Sequence, residues 1–178
     1  EAAAVARTNC RGELQLIAYY VAVAGQEPTA SALRRQLAER LVPAMIPSAY
    51  VRIERLPFNE NLKVDRSRLP PPSRERPLLD QPYVAPRDLN EARLASIWEE
   101  LLELAPVGVL DDFFDLGGDS LLIMQMFAAV DEAFGVDLPP SILLAESTIE
   151  HLATCVLPTI AHPAIVPRGV ETRGSEAV

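Results

Sequence analysis

The chain has 178 residues, 49% of them hydrophobic, and a formal net charge of −9. That length allows one ordinary domain or two small ones. Its two cysteines, Cys10 and Cys155, are far apart and outside any CxxC pair, which excludes a disulfide framework or a cysteine-built zinc site.

No apolar run approaches the roughly 18–20 residues of a bilayer-spanning helix; the longest, Leu14 to Ala24, is interrupted at Gln15. The N-terminus lacks the basic and apolar layout of a signal peptide, so a cytoplasmic location and no membrane partner are expected. Beginning at Glu1 without an initiator Met, the chain reads as a segment of a longer one. Its charge is uneven. Residues 1–72 hold ten Lys/Arg against seven Asp/Glu, a net of +3, whereas residues 73–178 hold six against eighteen, a net of −12. A break of that size predicts two modules. The acidic one repels phosphates, which excludes nucleic acid, and attracts basic protein surfaces.

In chain order, "AAVAR" is a short partner for "ELQLIAYYVAV" (Glu13 to Val23), which is rich in β-formers and short enough for a buried strand. Gly25 to Pro28 makes a turn. Thr29 or Ser31 caps a helix with Leu33, Leu37 and Leu41 spaced by four, and Pro43 and Pro47 end it. "YVRIERL" (Tyr50 to Leu56) alternates as a further strand. The stretch "LPFNENLKVDRSRLPPP" (Leu56 to Pro72), followed by Pro77, Pro82 and Pro86, suits neither a regular helix nor a central strand. It reads as a loop and then an extended, semi-rigid linker, with the boundary at residues 70–85.

The second module reads as helical. Asp88 opens a helix with Glu91 at capping-box spacing, and Leu94, Ile97, Trp98 and Leu101 form an amphipathic stripe. A loop over Ala105 to Asp119 leads to a helix over Ser120–Phe134, stopped by Gly135. Pro139 and Pro140 open a short third piece. Ser147 with Glu150 predicts a second capping box, for a helix over Thr148–Val156. Four helices in about 75 residues make a small bundle. After Leu157 a linker or disordered tail is expected.

Within this module "FFDLGGDSLL" (Phe113 to Leu122) presents a serine behind two glycines. A hydrolase nucleophile needs a base and commonly a G-x-S-x-G elbow; here the second glycine is missing, and His151 is the only candidate base between residues 84 and 157. A calcium loop starting at Asp111 would place Phe113 at position 3 and Leu116 at position 6, against the pattern. Gly117 and Gly118 as a tight turn and Ser120 as a helix cap account for the local sequence. They do not account for a following helix that is apolar nearly all round, from Leu121 through Val130. Some of those residues must be exposed and mark a docking surface, with Met124 and Met126 suited to successive partners.

"DDFFDLGGDSLL" inside a four-helix acidic module resembles the peptidyl carrier domain of nonribosomal peptide synthetases, over about Tyr83 to Val156, including "YVAPRD" and "IWEELL". The resemblance implies that Ser120 carries a 4′-phosphopantetheine arm, attached by a separate phosphopantetheinyl transferase using coenzyme A and magnesium. Asp119 either positions that transferase or its metal, or is only the helix cap. Backbone amides at the helix start are expected to meet the phosphate.

Upstream, "NLKVDR" (Asn61 to Arg66) resembles the N-G-K-x-D-R motif of adenylation domains. "LVPAMIPSAYV" (Leu41 to Val51) resembles the preceding L-P-x-Y-M-I-P element, and "LPPP" (Leu69 to Pro72) the L-P-x-P linker motif. Lys63, the only lysine in the chain, falls at the family's catalytic lysine, whose cation stabilises charge as the acyl-adenylate forms; the alternative is a solvated loop lysine. Leu62 stands where the family has glycine and Ala44 where an aromatic is common.

The expected architecture is therefore an α+β small subdomain (1–69, a short sheet with helices), a Pro-rich linker (70–83), an all-α four-helix-bundle carrier (84–157) and a tail (158–178). Nothing in the chain resembles the large adenylation subdomain, so ATP and Mg²⁺ are expected only with that adenylation core, and the chain is not expected to be active alone. The expected partners are the transferase, the adenylation core, and a downstream domain of condensation, epimerisation or thioesterase type. The alternatives are an acyl carrier of a polyketide or fatty-acyl-adenylating assembly line, and an interaction module whose serine is never modified.

Overall fold

The computed structural model describes residues 1–9 and 11–161. Strands β1 (Ala2–Thr8) and β2 (Leu14–Tyr20) form an antiparallel pair with Ala4 opposite Ala18 and Thr8 opposite Leu14. Helix α1 (Ala30–Ala38) then carries the chain back, and β3 (Ala49–Arg52) joins β2 in parallel, with Ile17 opposite Ala49. A parallel pair needs such a crossover, because a tight turn reverses direction. The order is β1-β2-β3, so β2 is central and buries Ile17 and Tyr19. With Leu56 and Leu69 they form the small core of this half.

Thr29 caps α1, its hydroxyl accepting from the Ala32 N–H at 3.0 Å. Strand β3 is shorter than the expected Tyr50–Leu56, because its partner β2 ends at Tyr20, opposite Arg52. Residues beyond it form a narrow loop in which Phe58 bridges Val64. Helix α1 differs more from expectation. Its leucines Leu33 and Leu37 are only half-buried, and its buried residues are Ala30 and Ser31 in the first turn.

The helical half comprises α2 (Leu89–Leu102), α3 (Ser120–Phe134), the short α4 (Ile142–Ala145) and α5 (Ile149–Ala161). Its core is built on Trp98, Leu94, Phe113, Met126, Val130, Ile149 and Leu152. The expected stripe on α2 is present, with Leu94 and Trp98 fully buried. Gly135 ends α3 at φ +66°, the left-handed C′ geometry that glycine adopts without a Cβ clash. No described helix is long and apolar enough to cross a membrane.

Both capping boxes differ from the sequence reading. Asp88 caps α2, accepting from Asn90 and Glu91 N–H, but the Glu91 carboxylate reaches one residue further back, to the Arg87 N–H at 2.7 Å and to its guanidinium. At α5 the cap is Thr148, accepting from the His151 N–H, not Ser147. Ser147 donates to Asp112, and Glu150 pairs with Arg87 at 2.8 Å. At α2 the neighbouring Arg87 outcompetes the reciprocal bond, and at α5 the distant Asp112 and Arg87 do. Helix α5 also runs past Val156 to Ala161; Cys10, His162 and the rest of the expected tail lie outside the described residues.

The proline-rich stretch is extended but is not a bare spacer. Glu75 bridges Ala105, Leu79 is buried in the helical core, and Val84 O accepts from Val109 N. Asp111, fully buried, takes a fork of two bonds from Arg76 at 2.7 and 2.8 Å and a third from Gly108 N–H. On its other side Asp80 holds Thr29 and Arg35 of the sheet half.

Candidate functional site

Ser120 is the first residue of α3 and is exposed. The loop that delivers it is anchored on the core by side chains that point inward: Val107, Val109, Phe113 and Leu116 are buried. Phe113 packs edge-on against Trp98, with centroids 4.8 Å apart, a favourable quadrupole geometry. Asp112 closes an Asx turn onto the Phe114 and Asp115 N–H groups at 2.8 and 3.0 Å. Gly118 lies so close over Phe113 that a Cβ there would run into the ring, and Gly117, at φ +103°, abuts the Ser48 carbonyl of the sheet half. These two glycines are thus needed for close packing on either side, as well as for the turn.

Asp119 caps α3. Its Oδ1 accepts from both Leu121 and Leu122 N–H at 2.9 Å. Those two amides are therefore occupied, which narrows the expectation that first-turn amides meet a phosphate to the Ser120 N–H. The other carboxylate oxygen accepts no bond from a described residue. Beyond Ser120, Ile123, Met126, Phe127 and Val130 face the core, while Leu121 (55% exposed) and Met124 (57%) face solvent. Met126 is therefore a core residue, and only Met124 of the two expected docking methionines is presented.

Lys63 stands on the loop of the sheet half. The Asn59 side chain shapes this loop by accepting from Asn61 and Lys63 N–H, both at 3.0 Å. Leu62 has φ +58°, the left-handed region that glycine tolerates at no steric cost. The loop thus keeps the conformation expected of a glycine there, with the Leu62 side chain turned out to solvent at 84% exposure. Lys63 is exposed, and its ammonium makes no hydrogen bond or ion pair with a described residue. It is not on the cleft that Ser120 lines; the two candidate residues are not brought together.

That cleft, of about 670 Å³, opens between the two halves. Two arginines of the sheet half tie the halves together, Arg34 on the lining of the cleft and Arg11 outside it, and sequence reading identified neither. Arg11, on the turn between β1 and β2, donates to Glu100 O and Leu101 O at the end of α2, pairs with Glu103 at 3.4 Å and bonds Gln125 of α3 at 3.1 Å. Helix α2 has no basic residue in its last turn, so its terminal carbonyls are satisfied from outside. Arg34 of α1 donates to Phe114 O at 3.2 Å and stacks on the Phe114 ring. Nearby, burial raises the Asp115 carboxyl above its usual range, and burial likewise pushes the Tyr50 hydroxyl up to about 12. Only the net positive charge of residues 1–72 hinted at such contacts, since the partners are some ninety residues apart.

Residues 92–156 match the family described as "Phosphopantetheine attachment site". Gramicidin S synthase 2 of Brevibacillus brevis is 43% identical over 80% of this chain, and tyrocidine synthase 3 of Brevibacillus parabrevis is 42% identical over 88%. The chain spans 3% of the length of the first of these curated relatives and 2% of the second. A solved holo nonribosomal peptide synthetase protein containing adenylation and PCP domains, bound to a vinylsulfonamide inhibitor, is 27% identical, with a TM-score of 0.52, over 87% of this chain and 23% of its own. That likeness runs through both halves of the fold. The chain accordingly contains a phosphopantetheine-attachment domain related to the peptidyl carrier domains of nonribosomal peptide synthetases, preceded by a region like the small subdomain of an adenylation domain.

Proposed function

We propose that Ser120 is the attachment residue, that its Oγ carries 4′-phosphopantetheine, and that the domain holds an aminoacyl or peptidyl thioester within a modular synthetase. The observation that carries this is an exposed hydroxyl on the first residue of α3, presented by a loop whose own side chains are buried. When bound, the group supplies a flexible arm ending in a nucleophilic thiol. The chain's residues suit it. The hydroxyl is open to a transferase, and His151, the one candidate base of this half, does not line its cleft. With the Leu121 and Leu122 amides held by Asp119, neither is available to the ester phosphate. The uncommitted oxygen of Asp119 is placed to meet the transferase or its magnesium.

Lys63 belongs to a second site, completed by an adenylation core that brings ATP and Mg²⁺. There its unpaired ammonium stabilises charge on the forming acyl-adenylate. The exposed Leu121 and Met124 beside Ser120 form the surface that meets the transferase and a downstream condensation, epimerisation or thioesterase-type domain. The setting is cytoplasmic.

Intact-mass measurement after incubation with a promiscuous phosphopantetheinyl transferase, coenzyme A and magnesium tests the central assignment. One added phosphopantetheine, absent in Ser120→Ala, is expected. A folded chain that gains nothing, or a Ser120→Ala chain that is still modified, refutes it.

A further inference from the structure

We propose that the cleft between the two halves is a resting site for the phosphopantetheine arm, its walls held in place by Arg11, which ties the halves together from outside the lining. This rests on the assignment of the arm to Ser120. Ser120 lies on the lining of the cleft, so an arm anchored there begins inside it. The opposite wall comes from the sheet half. Leu14, Ile46 and Pro47 give it an apolar surface suited to the branched hydrocarbon of the arm. Gln15, half-buried, also borders the cleft. Arg34 is the one cation among the described residues of the lining, beside the carboxylates of Glu13 and Asp119, and is the group able to face the phosphate end. The volume, about 670 Å³, lies within the ~300–1,000 Å³ of small-molecule sites.

The tether removes most of the association cost. An arm attached at the mouth of the cleft has an effective concentration in the mM range, so weak contacts are enough to hold it for most of the time. The walls belong to different halves and keep their spacing only while these stay docked. Arg11 is the positioning residue, because it ties the β1–β2 turn to both α2 and α3.

The test uses the holo chain and reads the reactivity of the arm's thiol. Alkylation by iodoacetamide is followed by mass spectrometry of the Ser120 peptide, which separates it from Cys10 and Cys155; free pantetheine is the reference. Protection of about fivefold is expected, equivalent to a parked population of about 80%. Arg11→Glu should abolish the protection. Leu14→Asp, at a position 80% exposed at the start of β2, should reduce it with the helical circular dichroism unchanged. A loaded arm that reacts at the reference rate overturns the proposal, and so does protection that survives both substitutions. Failure to load at all refutes the Ser120 assignment instead, and the mass spectrum tells the two apart.

Discussion

Asp119 has two candidate jobs, and residue chemistry separates them. As a cap it satisfies the Leu121 and Leu122 N–H groups; losing such a cap costs about 1 kcal/mol. Asp119→Ala should therefore lower the stability measured in denaturant by that amount. Asp119→Ser keeps a capping oxygen and should restore stability while leaving the carboxylate absent. If the carboxylate also serves the transferase, modification of Ser120 stays slow in both variants; recovery with serine leaves the residue as a cap only. Glu91 gives a prediction in pH. Hydrogen bonding from Arg87 holds its carboxyl below the usual range against the penalty of burial. The folded state therefore favours the charged form. Its contribution is present above the ordinary carboxylate pKa and lost as pH falls through the depressed one. Thermal melts of Glu91→Gln should lose this part of the acid sensitivity; an unchanged acid limb would exclude the pair as its source.

At the scale of elements, a buried ion pair ties the extended stretch to the loop before α3. Asp111 is fully buried and takes the Arg76 fork, and Arg76 also donates to Gln81 O. Removing one partner of such a pair leaves a buried charge uncompensated and costs about 3–5 kcal/mol. Arg76→Ala should show this as an early loss of Trp98 fluorescence in denaturant, since Trp98 is the only tryptophan and sits in the helical core. A loss below about 1 kcal/mol would mean that water replaces the guanidinium. We therefore propose that residues 74–84 travel with the helical bundle rather than serving as free linker. A pivot between the halves then falls near Pro70–Ser73, just after the Pro70 carbonyl accepts the Tyr19 hydroxyl, and its motion has to release the bonds of Asp80 to Thr29 and Arg35.

At the scale of the whole molecule, Lys63 and Ser120 sit on separate halves, and Lys63 lies away from the cleft that Ser120 lines. A lysine that acts in adenylation and a serine that acts in transfer need not meet at the same moment. In a complete adenylation enzyme, Lys63→Ala should slow adenylate formation, followed by pyrophosphate exchange, by about 100-fold or more, in line with the loss of one charge-stabilising group. Thioester formation from preformed adenylate should change far less. Equal slowing of both steps would contradict this division.

The sequence by itself determined the elements whose causes are local. The glycine at position 135, the acidic cap at Asp119 and the apolar periodicity of α2 each act within a few residues, so the limits of α3 and the stripe of α2 were readable. The family resemblance rested on the contiguous residues around Ser120, and the fold bears it out. What only the tertiary structure decided involves partners distant in the chain: Thr148 rather than Ser147 as cap, because Asp112 claims the serine; Met126 inside and Met124 outside; and Arg11 closing the end of α2. Hydrogen bonds and burial are settled by which groups share a volume, and for groups many residues apart that follows only from how the two halves pack.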